Sequence, residues 1–171
     1  TVLTLVAGLN KIHEDSILLS SCILFRPATS VNTVDVESDI ENAPSADLID
    51  IARSLEGIPY KYGGTTQRGF DCSGFTSYVY QKNNATIPRT SGEQERYAQS
   101  VRIKDLKTGD LVFFRPNKVG KVFHVALVVD NNRDGVIVIH STSSRGVVEE
   151  NITKSSYWSK KYWTGGRVYN N

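Results

Sequence analysis

Cys72, His124 and His140 are the residues of this 171-residue chain whose types could together carry out acyl transfer. That chemistry asks for a thiolate nucleophile, an imidazole that takes its proton and later protonates the leaving amine, and a third polar group that fixes the imidazole's tautomer. Cys72 lies in YKYGGTTQRGFDCSGFTSYV, residues 60–79, where glycines at 63, 64 and 69 mark backbone that bends or is closely approached. From Cys72 onward Phe75, Tyr78 and Val79 fall at helical spacing, and Asp71 is placed to cap the helix. A cysteine in a first helical turn sits among backbone N–H groups without intrahelical partners, which favour the thiolate. A lone cysteine is more often a small core residue, and a lone strand-end histidine a half-buried structural one. The glycine-rich approach and the two downstream histidines tip the reading toward chemistry.

The elements that must position these residues can be read in outline. A helix capped by Ser45 or Asp47 should bury Leu48, Ile51, Ala52 and Leu55 and stop at Gly57. After the Cys72 helix, Ser91 with Gln94 has the offset of a capping box. LVFF at 111–114 reads as a strand, and FHVALVVD, the polar turn NNRDG and VIVIH form the strongest hairpin signal, with further strands at 146–152 and 165–169. Both hairpin runs are apolar on consecutive positions, so both sheet faces should be covered. Helices first and strands after predict an α+β domain with an antiparallel sheet. His124 opens one hairpin strand and His140 closes the other, which brings both to one sheet edge. For the rings to share a face the register should pair Val128 with Val136 and Ala126 with Val138, or contain a bulge. On that register the Cys72 helix should pack through Phe75 and Val79 on the face of His124, Ala126, Val128, Val136, Val138 and His140, with Val125, Leu127, Ile137 and Ile139 opposite.

The ordered series Gly57-Ile58-Pro59-Tyr60-Lys61-Tyr62-Gly63-Gly64, Asp71-Cys72-Ser73-Gly74-Phe75, Pro88-Arg89-Thr90, Thr108-Gly109-Asp110-Leu111-Val112, His124-Val125 and His140-Ser141-Thr142 resembles the NlpC family of bacterial cell-wall cysteine peptidases over residues 48–168. It is most similar to the outer-membrane lipoprotein branch, where the third catalytic residue is also histidine. The resemblance implies a papain-like fold and hydrolysis of peptidoglycan stem peptides without a cofactor. It implies Cys72 as nucleophile, His124 as base and His140 as its orienter. Tyr60 matches a tyrosine near the oxyanion and substrate, the Cys72 N–H would serve the oxyanion hole, and Asp71 and Ser73 border the cleft as substrate contacts. The bond cut would be diaminopimelate to D-alanine, favoured by that branch, or D-glutamate to diaminopimelate. A noncatalytic wall-binding module would not need all three residues; amide hydrolysis or acyl transfer on the same scaffold is a further reading.

Composition bounds the rest. With 39% hydrophobic and 22% charged residues the chain is of ordinary globular make-up. Residues 1–45 hold two Lys/Arg against six Asp/Glu, whereas residues 46–171 hold 18 against 12, a net of +6. That charge suits an anionic polymer such as peptidoglycan, but its cations are scattered without the aromatic-flanked runs that bind nucleic acid. Two cysteines make no disulfide framework, and the histidine spacing gives no metal site, so no metal is expected. Residues 1–25 read as a signal or lipoprotein-like segment, in which Leu19-Ser20-Ser21-Cys22 resembles a lipobox with Cys22 as the lipid attachment site. Residues 26–45 read as a flexible acidic linker and 46–171 as the peptidase domain. The expectation is an exported, monomeric protein of the periplasm or cell envelope, tied to the outer membrane through that lipid.

Overall fold

The computed structural model describes residues 46–168. The leader, Cys22 and linker readings lie outside them, as does Ser45. Helix α1 (Ala46–Arg53) includes Asp47 and buries Leu48 and Ala52 one turn apart. The chain then turns through Gly57 and forms a small ribbon of β1 (Thr65–Thr66) and β2 (Gly69–Phe70) ahead of helix α2 (Cys72–Lys82). Asp71 caps α2: its backbone is extended and its carboxylate accepts the Gly74 N–H at 2.6 Å. Phe75 and Val79, one turn apart, are fully buried.

Helix α3 (Ser91–Tyr97) departs from its anticipated cap by one residue. Residues 90–94, TSGEQ, hold two overlapping capping boxes, and the structure uses Thr90 with Glu93. Gln94 is drawn inside instead. Its amide donates to the carbonyls of Ser73 and Pro88 at 3.1 and 2.8 Å, and its oxygen accepts from Thr76 at 2.9 Å. A buried amide with such partners ties α3 to α2 and leaves Gln94 no reach back to a cap.

Six strands complete the domain: β3 (Gln99–Val101), β4 (Leu111–Phe114), β5 (His124–Asn132), β6 (Gly135–Thr142), β7 (Gly146–Asn151) and β8 (Tyr162–Arg167). They form one antiparallel sheet in the order β3-β8-β4-β5-β6-β7. The result is an α+β fold in which the helices precede most of the sheet. No helix among the described residues is long and apolar enough to cross a membrane.

Of the two arrangements that let the rings share a face, the β5–β6 hairpin takes the bulged one, and the anticipated pairing of Val128 with Val136 is corrected. Val128 pairs with Val138 rather than Val136, a slip of two, and a bulge at Val129 shifts the ladder by one more toward the turn. A slip of two preserves facing, so His124, Ala126, Val128, Val138 and His140 still share a face. That face is filled by Val112, Phe114, Ile152 and Trp158. Helix α2 packs on the other one, against Val125, Leu127 and Ile139, and not over the histidines as anticipated. The continuous apolar run allows either placement, because both faces need cover. The indole occupies the side on which the imidazoles lie, and the helix takes the wholly apolar side.

Candidate active site

Cys72 occupies the first turn of α2, and its setting depends on a tight joint between that helix and the glycine-rich loop. The Asp71 N–H donates to Gly64 O at 3.1 Å, and the Gly63 N–H to Asp71 Oδ2 at 3.0 Å. A Cβ at Gly74 would collide with the Gly64 carbonyl oxygen, so only glycine lets the loop lie against the first turn. Arg89 closes the joint with a two-pronged ion pair to Asp71, at 3.0 and 2.6 Å, and a bond to Ser73 Oγ at 3.1 Å. The polar atoms of Asp71 and Ser73 are thus committed to holding the turn that carries Cys72, and neither lines the adjacent cavity. Tyr60, bridged through its backbone to Phe70, does line it.

Cys72 is buried, and burial pushes its thiol up despite the backbone N–H groups of Val125 and Ser73 that favour the thiolate. The helix start does not, in the resting protein, outweigh desolvation. The Cys72 and Ser73 N–H groups have no oxygen partner among the described residues, as the first N–H groups of a helix do not.

The last ladder pair of β5 with β6 on the side of the site is Leu127 with Ile139, and the histidines lie beyond it. There His124 Nε2 and His140 Nδ1 meet at 2.9 Å, and His140 Nε2 lies 2.7 Å from Glu150 Oε1 on β7. Trp158 stacks on His124 at 4.5 Å between centroids and covers His140 at 5.0 Å, while its Nε1–H donates to the same Glu150 oxygen at 3.0 Å. Arg145 also donates to that oxygen. The hydrogen bonds from His140 and Arg145, with the charge of the guanidinium, hold Glu150 down to about 2. Glu150 is therefore ionised and accepts only, so His140 Nε2 carries a proton. Burial drives both imidazoles below the ordinary histidine range, His124 furthest, with Glu150 opposing the effect at His140. Neutral His140 then accepts at Nδ1, His124 donates from Nε2, and His124 Nδ1 is left as the basic lone pair.

Cys72 and His124 open into one cavity of about 480 Å³, with Tyr60, Phe123, Tyr157 and Trp158 on its walls and Thr142, Ser143, Ser144, Arg145 and Glu150 beside them. Among the described residues the thiol makes no hydrogen bond to His124; the two groups face a shared space from opposite sides of the sheet's end. The structure brings together Cys72, Tyr60 and both histidines. It adds Glu150 and Trp158, which sequence reasoning missed. Neither carries a motif: Glu150 follows Glu149 on a strand, and only the pairing of His140 with Val148 sets Glu150 diagonal to His140 on the same face.

Comparison with known proteins gives a match over residues 57–167 to the model of the NlpC/P60 family. A Haemophilus influenzae protein named "Probable endopeptidase" is 28% identical over 92% of this chain and 99% of its own length. The Escherichia coli protein named "Murein DD-endopeptidase MepS/Murein LD-carboxypeptidase" is 34% identical over 81% of this chain and 66% of its own. A crystal structure of an NlpC/P60 family protein from Bacillus cereus superposes with a TM-score of 0.67 at 35% identity, over 75% of this chain and 41% of that one. The chain thus spans nearly all of one relative and less than half of another.

Proposed function

We propose that this chain, which belongs to the NlpC/P60 family, is a cysteine peptidase that hydrolyses peptide bonds in peptidoglycan. The observation that carries the reading is the hydrogen-bonded chain from Glu150 through His140 to His124, which ends on the cavity that also holds Cys72. With a substrate carbonyl in that cavity, His124 Nδ1 takes the Cys72 proton and the thiolate attacks the carbonyl carbon. The Cys72 and Ser73 N–H groups and the Tyr60 hydroxyl are the donors available to the oxyanion. The imidazolium formed on His124 is stabilised by the His140 Nδ1 lone pair and, behind it, by the Glu150 carboxylate. His124 then gives its proton to the leaving amine, and water, with His124 again as base, releases the acyl group from sulfur.

The bond favoured is that between diaminopimelate and D-alanine, supported by the name of the E. coli relative; the D-glutamate to diaminopimelate bond is the second reading. Action on the wall places the domain outside the cytoplasm, and the lipobox-like run before Cys22 supports a lipid anchor. Digestion of isolated sacculi with mass analysis of the released muropeptides tests the reading. Cross-linked dimers converted to monomers support the first bond and truncated stems the second. Unchanged sacculi would overturn the peptidase assignment.

A further inference from the structure

The cavity that holds Cys72 and His124 also holds a guanidinium that the hydrogen-bonded path from Glu150 to His124 does not need. Arg145 stands in the turn between β6 and β7, with its own N–H donating to Thr142 Oγ1 at 3.3 Å and its side chain 50% exposed. Of its five side-chain N–H donors one goes to Glu150 Oε1, and among the described residues it makes no other side-chain hydrogen bond. That oxygen already takes the N–H groups of His140 and Trp158, so three donors crowd an atom with two lone pairs. His140 and Trp158 are buried and fixed; Arg145 is the donor that can leave. Ser143 and Ser144, both exposed, stand beside it on the cavity wall.

A half-used guanidinium fork on the wall of a catalytic cavity matches the geometry of a carboxylate. We infer that Arg145 receives a free carboxylate of the stem peptide and so makes the enzyme selective for unamidated substrate. The inference rests on the peptidase reading above. It also links binding to chemistry: a carboxylate that draws Arg145 away relieves Glu150 Oε1, whose charge then falls more fully on His140 and, through it, on the imidazolium that His124 becomes.

The test uses the whole chain and a set of stem peptides, one with every carboxylate free and others with a single carboxylate converted to carboxamide. For wild type, one amide should lower kcat/KM roughly 10- to 100-fold, the scale of a hydrogen-bonded charge pair. In Arg145→Gln the free acid and that amide should be cleaved alike, and Arg145→Lys, which keeps charge without the fork, should retain part of the preference. An Arg145 that only braces Glu150 would lower cleavage of acid and amide by the same factor and leave their ratio unchanged. That result, or a wild type indifferent to every amide, would overturn the inference. A wild type that cleaves no peptide of the set would overturn the peptidase reading itself, and this inference with it.

Discussion

Glu150 carries the charge on which the proton positions of the site depend, and changing it has a direction that can be worked out. Glutamine keeps an acceptor for His140 Nε2–H but removes the charge that opposes burial at that ring. Glu150→Gln should therefore lower kcat by roughly 10- to 100-fold, the worth of a hydrogen bond to a charged group. Without the carboxylate the imidazoles become less basic, so the acid limb of the kcat/KM profile should move to lower pH. An unchanged acid limb would mean that Glu150 braces Trp158 and Arg145 without acting on the relay. His140→Ala should cost less than His124→Ala, because His140 acts only through its hydrogen bond to His124, and steady-state kinetics on a stem peptide would rank them. Cys72, His124 and His140 were legible in the sequence because their residue types are scarce and chemically specific. Glu150 was not, since glutamate is common and its place beside His140 depends on strand pairing.

At the scale of elements, the joint between the glycine loop and α2 sets where the thiol stands. Gly74→Ala would drive a methyl into the Gly64 carbonyl and to 2.9 Å from Asp71 Oδ1. We predict a loss of about 1–3 kcal/mol in stability, typical of overpacking, and slower alkylation of Cys72 than in wild type. A variant that melts and alkylates like wild type would show that the loop is not held against the helix. The hairpin, its shared histidine face and the start of α2 could all be anticipated, because parity and capping are local rules. The two-residue slip, the choice between Thr90 and Ser91 as cap, and the sheet face that α2 covers could not. The slip comes from a two-residue turn at Arg133 and Asp134 combined with the bulge at Val129, and the other two are decided by distant partners, the buried Gln94 network and the indole of Trp158.

For the molecule as a whole, the relay makes stability depend on pH with a definite sign. His124, His140 and Glu150 are all lowered on folding. The unfolded chain therefore binds more protons, and stability is full above the ordinary ranges of these groups and lost as pH falls through them. The histidines act from about 6.5 downward, and Glu150 between 4.5 and about 2. The Tm should drop between pH 7.5 and 5.5, and drop less in His124→Gln/His140→Gln; a wild-type Tm flat across that interval would contradict buried neutral imidazoles. The net charge of +6 over residues 46–171 should make adsorption to sacculi weaken as salt is raised, checked by co-sedimentation. Whether Cys72 is the nucleophile served by this relay is decided by the rate at which Cys72→Ala releases soluble muropeptides from sacculi. We expect a fall of about 10⁴-fold or more with the melting transition retained, and turnover near the wild-type rate would rule the nucleophile out.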